Sequence, residues 1–309
     1  MKPRLLAAAG VALVLAAVGA RAQEVKSVFA GADPSALYAE GQLWIEPTGH
    51  GDSLESWSAV DRTHFRKRGT LLRLADIGWA RDDHARAHYL WAPDLRAANG
   101  KYYLYYAIGP QNPTPSRLGV AICDTPAGPC RDSGRPLLTG GDGFEAIDPM
   151  MFVDPKTHRA LLYAGGSAGA RLRVFELAPD LVSIAQEIPV DQPPLFTEGA
   201  FMHERNGLYY LSYSSGHWNR ADYSVHYATA ASPTGPWRYR GATLLGDRKY
   251  NGPGHHAFIR DPATGARLIV YHRWERKAGN GPYSDDRRVA IQPIRYDRFG
   301  LIEPVRMTR

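Results

Sequence analysis

Cysteine is nearly missing: the 309-residue chain has two, Cys123 and Cys130, both within AICDTPAGPC. A scaffold built on disulfides and a cysteine-ligated metal centre are excluded, and in an oxidising compartment the pair has one local bridge to form. Long hydrophobic runs are as scarce. The single apolar stretch, Leu5 to Val18 behind Lys2 and Arg4, is shorter than the ~20 residues a spanning helix needs. With Ala20-Arg21-Ala22 behind it, this stretch reads as a secretory signal over residues 1–22. The exported chain is then 23–309, secreted or periplasmic and free of the membrane. Helical periodicity is absent outside that segment. Basic residues exceed acidic ones by 6, but they cluster only at Arg66-Lys67-Arg68, which argues against a nucleic-acid partner.

What is present is turn and strand chemistry. Aromatic residues make up 11% of the chain, with 31 glycines and 23 prolines, a mixture that suits many short strands and tight turns. The stretch LFTEGAFMHERNGLYYLSYSS shows the unit: an acid on a glycine, a strand, an Asn206-Gly207 turn and an aromatic second strand. This unit recurs. Asp33, Asp94, Asp148, Glu198 and His255 mark its five passes, and units of about 57 residues account for the 287 left after the signal. A single-domain, all-β, five-bladed β-propeller fits, with each landmark at the start of an innermost strand and all five converging on one end of the channel.

Local chemistry narrows the candidates. Asp33 and Asp148 each precede a proline, which is expected to hold them in extended backbone. Asp94 is read either as a ligand for a sugar hydroxyl or as an acceptor for neighbouring backbone. Trp91 is read either as a stacking platform or as core between blades. His255 and His256 point to opposite faces of a strand, so one of them faces the channel.

The motifs ADPS, WAPDL with GKYYLYYA, IDPMMFVD, TEGAFM with NGLYYLSYSS, GPGHH and RRVAIQ follow one another along the chain. In that order they resemble glycoside hydrolase family 43, the inverting propeller arabinofuranosidases, xylosidases and arabinanases. The resemblance implies that Asp33 is the general base, Glu198 the general acid, and Asp148 the acid that orients Glu198 and keeps it protonated. It further implies that Arg287 contacts the sugar and that His255 holds a structural calcium or sodium ion in the channel, with no organic cofactor. Ala200 departs from the proline that often follows the Glu-Gly of the family, which bears on subsite shape. Inversion needs a protonated acid and an ionised base ~6.5–9.5 Å apart, with room for water between. The resemblance points to a monomer acting on plant polysaccharides or oligosaccharides. The chain ends with its fifth unit, without the C-terminal sandwich of many xylosidases of the family, which leans the reading towards L-arabinofuranose. A propeller that only bound sugar would have no need of all three acids.

Overall fold

The computed structural model describes residues 28–167, 169–284 and 286–308. The signal expected over residues 1–22 lies outside them. Among the described residues, apart from one 3-10 turn at Leu74–Asp76, the regular structure is strand.

The strands form five antiparallel sheets. The first contains β2 (Ala32–Ala39), β3 (Gln42–Thr48), β4 (Ser53–Ala59) and β5 (Arg66–Arg73). The second contains β6 (Leu90–Ala98), β7 (Lys101–Ile108) and β8 (Arg117–Cys123), edged by the short β9 (Cys130–Asp132) and β10 (Leu138–Thr139). The third runs β11 (Met150–Val153), β12 (Ala160–Ala164), β13 (Arg173–Leu177) and β14 (Ile184–Ile188). The fourth runs β15 (Glu198–Arg205), β16 (Leu208–Ser215), β17 (Ser224–Ala230) and β18 (Arg238–Leu244). The fifth pairs β19 (Tyr250–Arg260), β20 (Arg267–Glu275) and β21 (Arg288–Pro293) with β1 (Phe29–Ala30), so the start of the chain supplies its outer strand. This pairing of the two chain ends closes the ring.

The first strand of each sheet touches the first strand of the next, β2 to β6, β6 to β11, β11 to β15, β15 to β19 and β19 back to β2. These five therefore line the axis, and the chain is the expected five-bladed β-propeller. The hairpins follow the turn chemistry. Asn206-Gly207 and Asn99-Gly100 both take positive φ at both positions, the backbone that matches strand twist in a two-residue hairpin. The tyrosines of the second strands form core between blades: Tyr105 and Tyr106 are fully buried, and Tyr105 donates its hydroxyl to the Leu181 carbonyl of the next blade. Cys123 and Cys130 are bridged, tying β8 to β9.

Candidate active site

Each inner strand breaks register near its start. Bulges interrupt the pairing between Ala32 and Ser35, Trp91 and Asp94, Glu198 and Phe201, and Gly254 and His256. In the third blade Ile147 bonds Gly165 and Met150 pairs Tyr163, which leaves the same extra residue. In every blade the first residue of the bulge has positive φ: Asp33 (45°), Ala92 (44°), Asp148 (54°), Gly199 (62°) and His255 (38°). The prolines after Asp33 and Asp148 thus do not hold them extended, as expected from sequence. The extra residue of a bulge must bend the strand, and Asp and His tolerate the left-handed region better than most residues. Strain of this kind, repeated around one end of a channel, re-aims side chains out of the sheets.

This repeat moves two of the five landmarks, and in blade four the counterpart of Asp33 and Asp148 is Gly199, one residue after Glu198. The blade-two counterpart of Asp33 and Asp148 is Ala92, and Asp94 lies two residues further along. Its carboxylate is buried, accepts the Met151 N–H at 2.7 Å and pairs with the Arg96 guanidinium at 2.7 Å. Of the two readings of Asp94 the structure has the backbone acceptor, and it is absent from the pocket lining.

Asp33, Asp148, Glu198, His255 and Arg287 converge on one pocket of about 370 Å³. Trp91 joins them, its ring laid over Gly109 and stacked on Tyr89 at 5.9 Å. Arg287 donates to Asp33 Oδ1 at 2.9 Å, and the His255 imidazole stands 3.5 Å from the carboxylates of both Asp33 and Asp148. Asp148 accepts the Gly199 N–H at 2.9 Å. Glu198 is held at both oxygens, by the Tyr223 hydroxyl at 2.7 Å and the Ser167 hydroxyl at 2.5 Å. At Gly166 any side chain would run into Glu198, so the glycine lets the neighbouring loop close on the acid.

The two aspartates have opposite electrostatics. Burial pushes Asp33 up, but Arg287, His255 and His272 outweigh it and hold the carboxyl well below the usual range. Asp148 is pushed well above that range by burial and by the charges of Glu198 and Asp33. Burial keeps His255 below its ordinary value despite the opposing charges of Asp33 and Glu198.

The profile of Glycosyl hydrolases family 43 matches residues 26–302. The chain belongs to that family. As a family-43 chain it is a glycoside hydrolase, and its relatives agree. It is 33% identical to Beta-D-galactofuranosidase xynD of Aspergillus niger, over 91% of this chain and 84% of that protein. It is 29% identical to Xylosidase/arabinosidase 43A of Humicola insolens, over 88% and 95%. A solved structure of an alpha-L-arabinanase mutant from Cellvibrio cellulosa superposes with a TM-score of 0.76 at 21% identity, covering 91% of this chain and 96% of that one, which is a likeness of fold.

Within this family-43 pocket, several lining residues escaped the sequence reading: Tyr89, Gln111, Ile147, Ser167 and Trp218. A signal for three of them exists. The second strand of a blade ends where its first begins, and a glycine follows it closely in four units, at Gly49, Gly109, Gly165 and Gly216. Gln111, Ser167 and Trp218 sit in the loops those glycines open. For the ion expected at His255, the fit is poor. That imidazole is turned to two carboxylates, and among the described residues no three His, Cys, Asp or Glu side chains are grouped to hold a metal. The imidazole nitrogens buried without a hydrogen-bond partner belong to His203 (Nδ1), His256 (Nδ1) and His272 (Nε2), not to His255.

Proposed function

We propose that this chain is an inverting glycosidase that releases L-arabinofuranose from arabinan- or arabinoxylan-type polysaccharides or their oligosaccharides. The observation that carries the reading is the opposed electrostatics of two carboxyls in one pocket, with a third carboxyl beside the protonated one. Asp33, held ionised by Arg287, is the base that takes a proton from water as it attacks the anomeric carbon. Glu198 is the acid that protonates the departing glycosidic oxygen on the opposite face of the sugar. Asp148 and Glu198 repel when both are charged, so the pair retains a proton at a pH where Asp33 has none. Asp148 also fixes the acid's backbone through the Gly199 N–H. Trp91, stacked on Tyr89, offers an apolar face to the sugar or its aglycone, and Trp218 stands in the same pocket with the Arg287 guanidinium 5.0 Å from its ring.

The relatives support the substrate class: the Humicola insolens protein is named for xylose and arabinose, and the chain is 29% identical to an arabinoxylan arabinofuranohydrolase of Bacillus subtilis. A second reading is favoured by the Aspergillus niger relative at 33% identity. β-D-galactofuranose and α-L-arabinofuranose share their configuration around the ring and differ in the exocyclic arm, so one set of carboxyls serves both. The test is hydrolysis of nitrophenyl α-L-arabinofuranoside, β-D-galactofuranoside and β-D-xyloside, with the anomer of the product followed by NMR. Arabinofuranoside cleavage with inversion is the expected result. Preference for galactofuranoside would move the reading to the second sugar, and a retained anomer would remove the base role of Asp33.

A further inference from the structure

The pocket's acid and base are connected from behind by side chains that do not line it. Tyr223 is buried at the entry to β17, and its hydroxyl donates to Glu198 Oε1. Its ring lies parallel to that of His272, centroids 5.8 Å apart and planes 7° from one another. His272 in turn accepts the Asp33 N–H on Nδ1 at 3.0 Å. Beneath the Tyr223 ring is Gly254, where any Cβ would overlap it. A run of contacts thus leads from Glu198 through two stacked rings to the main chain of Asp33. On the other side of the acid, Ser167 lines the pocket and donates to Oε2.

We propose that Tyr223 is a positioning residue for proton delivery: it holds Glu198 Oε1 from behind and leaves Oε2, on the pocket side, as the oxygen that carries and delivers the proton. The inference rests on the reading of Glu198 as the acid. A free carboxyl rotates and presents either oxygen; one tethered by a buried phenol presents one. The proton passes from Oε2 to the glycosidic oxygen as the bond from that oxygen to the anomeric carbon breaks, and the carboxylate left behind is still held at Oε1. Tyr223 neither gives up nor gains a proton, because burial, Glu198 and Asp148 hold its phenol well above the ordinary range. The stack on His272 adds a link to the base, so the separation of the two groups is set inside the protein and not by the pocket wall.

The test is Tyr223→Phe, which keeps the ring and its packing and removes one oxygen. Two aryl α-L-arabinofuranosides serve as substrates, dinitrophenyl, whose leaving group departs without a proton, and unsubstituted phenyl, whose leaving group needs one. The expected result is a fall in kcat on the phenyl glycoside on the order of tenfold to a hundredfold, part of what general acid catalysis contributes. KM stays within about threefold, kcat on the dinitrophenyl glycoside is nearly unchanged, and the melting curve matches wild type. An equal loss on both substrates, or no loss on the phenyl glycoside, overturns the proposal. Glu198→Gln on the same pair separates the two levels. If it too loses both substrates equally, the acid reading itself fails; if it loses only the phenyl glycoside while Tyr223→Phe loses neither, the acid stands and the positioning role does not.

Discussion

Asp33 and Asp148 occupy equivalent places in blades one and three. Each is the positive-φ residue of its bulge, each precedes a proline, each is largely buried, and each has a carboxylate oxygen 3.5 Å from the same His255 nitrogen. Their protonation nonetheless diverges, Asp33 held ionised and Asp148 pushed towards its neutral form. Backbone and burial are common to both and do not explain the difference. What differs is the neighbour contributed by another blade: an arginine from the stretch before β21 beside Asp33, and the charge of a glutamate at the start of β15 acting on Asp148. One repeated bulge therefore supplies positions for acids, and the contents of the adjacent blade decide what each acid does.

The comparison breaks most severely when its ionised member is neutralised. Asp33→Asn keeps shape and removes the charge that activates water, so kcat should fall on the order of 10³-fold while sugar binding survives, measurable by steady-state kinetics and calorimetry. Next in size is loss of the neighbour that distinguishes the pair. Arg287→Gln removes the largest influence lowering Asp33 and leaves only His255 and His272 to oppose burial, which raises it. The acidic limb of kcat/KM should move to higher pH, with a loss of about tenfold to a hundredfold at neutral pH, since one hydrogen bond to a charged group is gone. An unchanged limb would mean that Asp33 is not the group whose ionisation the profile reports. Asp148→Asn alters the other member and should cost activity while gaining stability. The folded value of Asp148 lies above its unfolded one, so the wild type is penalised increasingly as pH rises from the unfolded value towards the folded one, and the gain from Asn grows with pH and vanishes in acid. A rise of roughly 2–4 °C in Tm at pH 7, absent near pH 3, is the expected sign.

Much of this architecture is legible in the sequence. Aromatic second strands, asparagine-glycine turns and acids at regular spacing encode blades directly, because alternation and turn geometry are local properties. The neighbours were less so. The bulge adds one residue to each inner strand, and nothing in the spacing of Asp33, Asp94 and Asp148 reveals which residue is the extra one. Proline after the aspartates read as extended backbone because the bend that overrides it comes from pairing with the second strand. Tyr223 and His272 sit in unrelated stretches and meet only when blades four and five stand side by side. Trp218 could have been inferred from the glycine after β16, had the far ends of the second strands been read as pocket loops.

The aspartate that shares the repeat but not the register offers the last way to sharpen the comparison. If Asp94 were a third member of the set, as its spacing suggests, Asp94→Asn would weaken sugar binding and raise KM. The structure directs its carboxylate to the Met151 N–H and to Arg96, which lies 5.3 Å from the Phe201 ring. Asparagine keeps an acceptor for the backbone but leaves a guanidinium without its counter-charge at a site of 21% side-chain exposure, where water relieves part of the cost. The expected outcome is a loss of about 1–3 kcal/mol in denaturant unfolding, with kcat/KM within about threefold of wild type. A raised KM with unchanged stability would return Asp94 to the sugar-binding role of its first reading, despite the register that sets it two residues past Ala92.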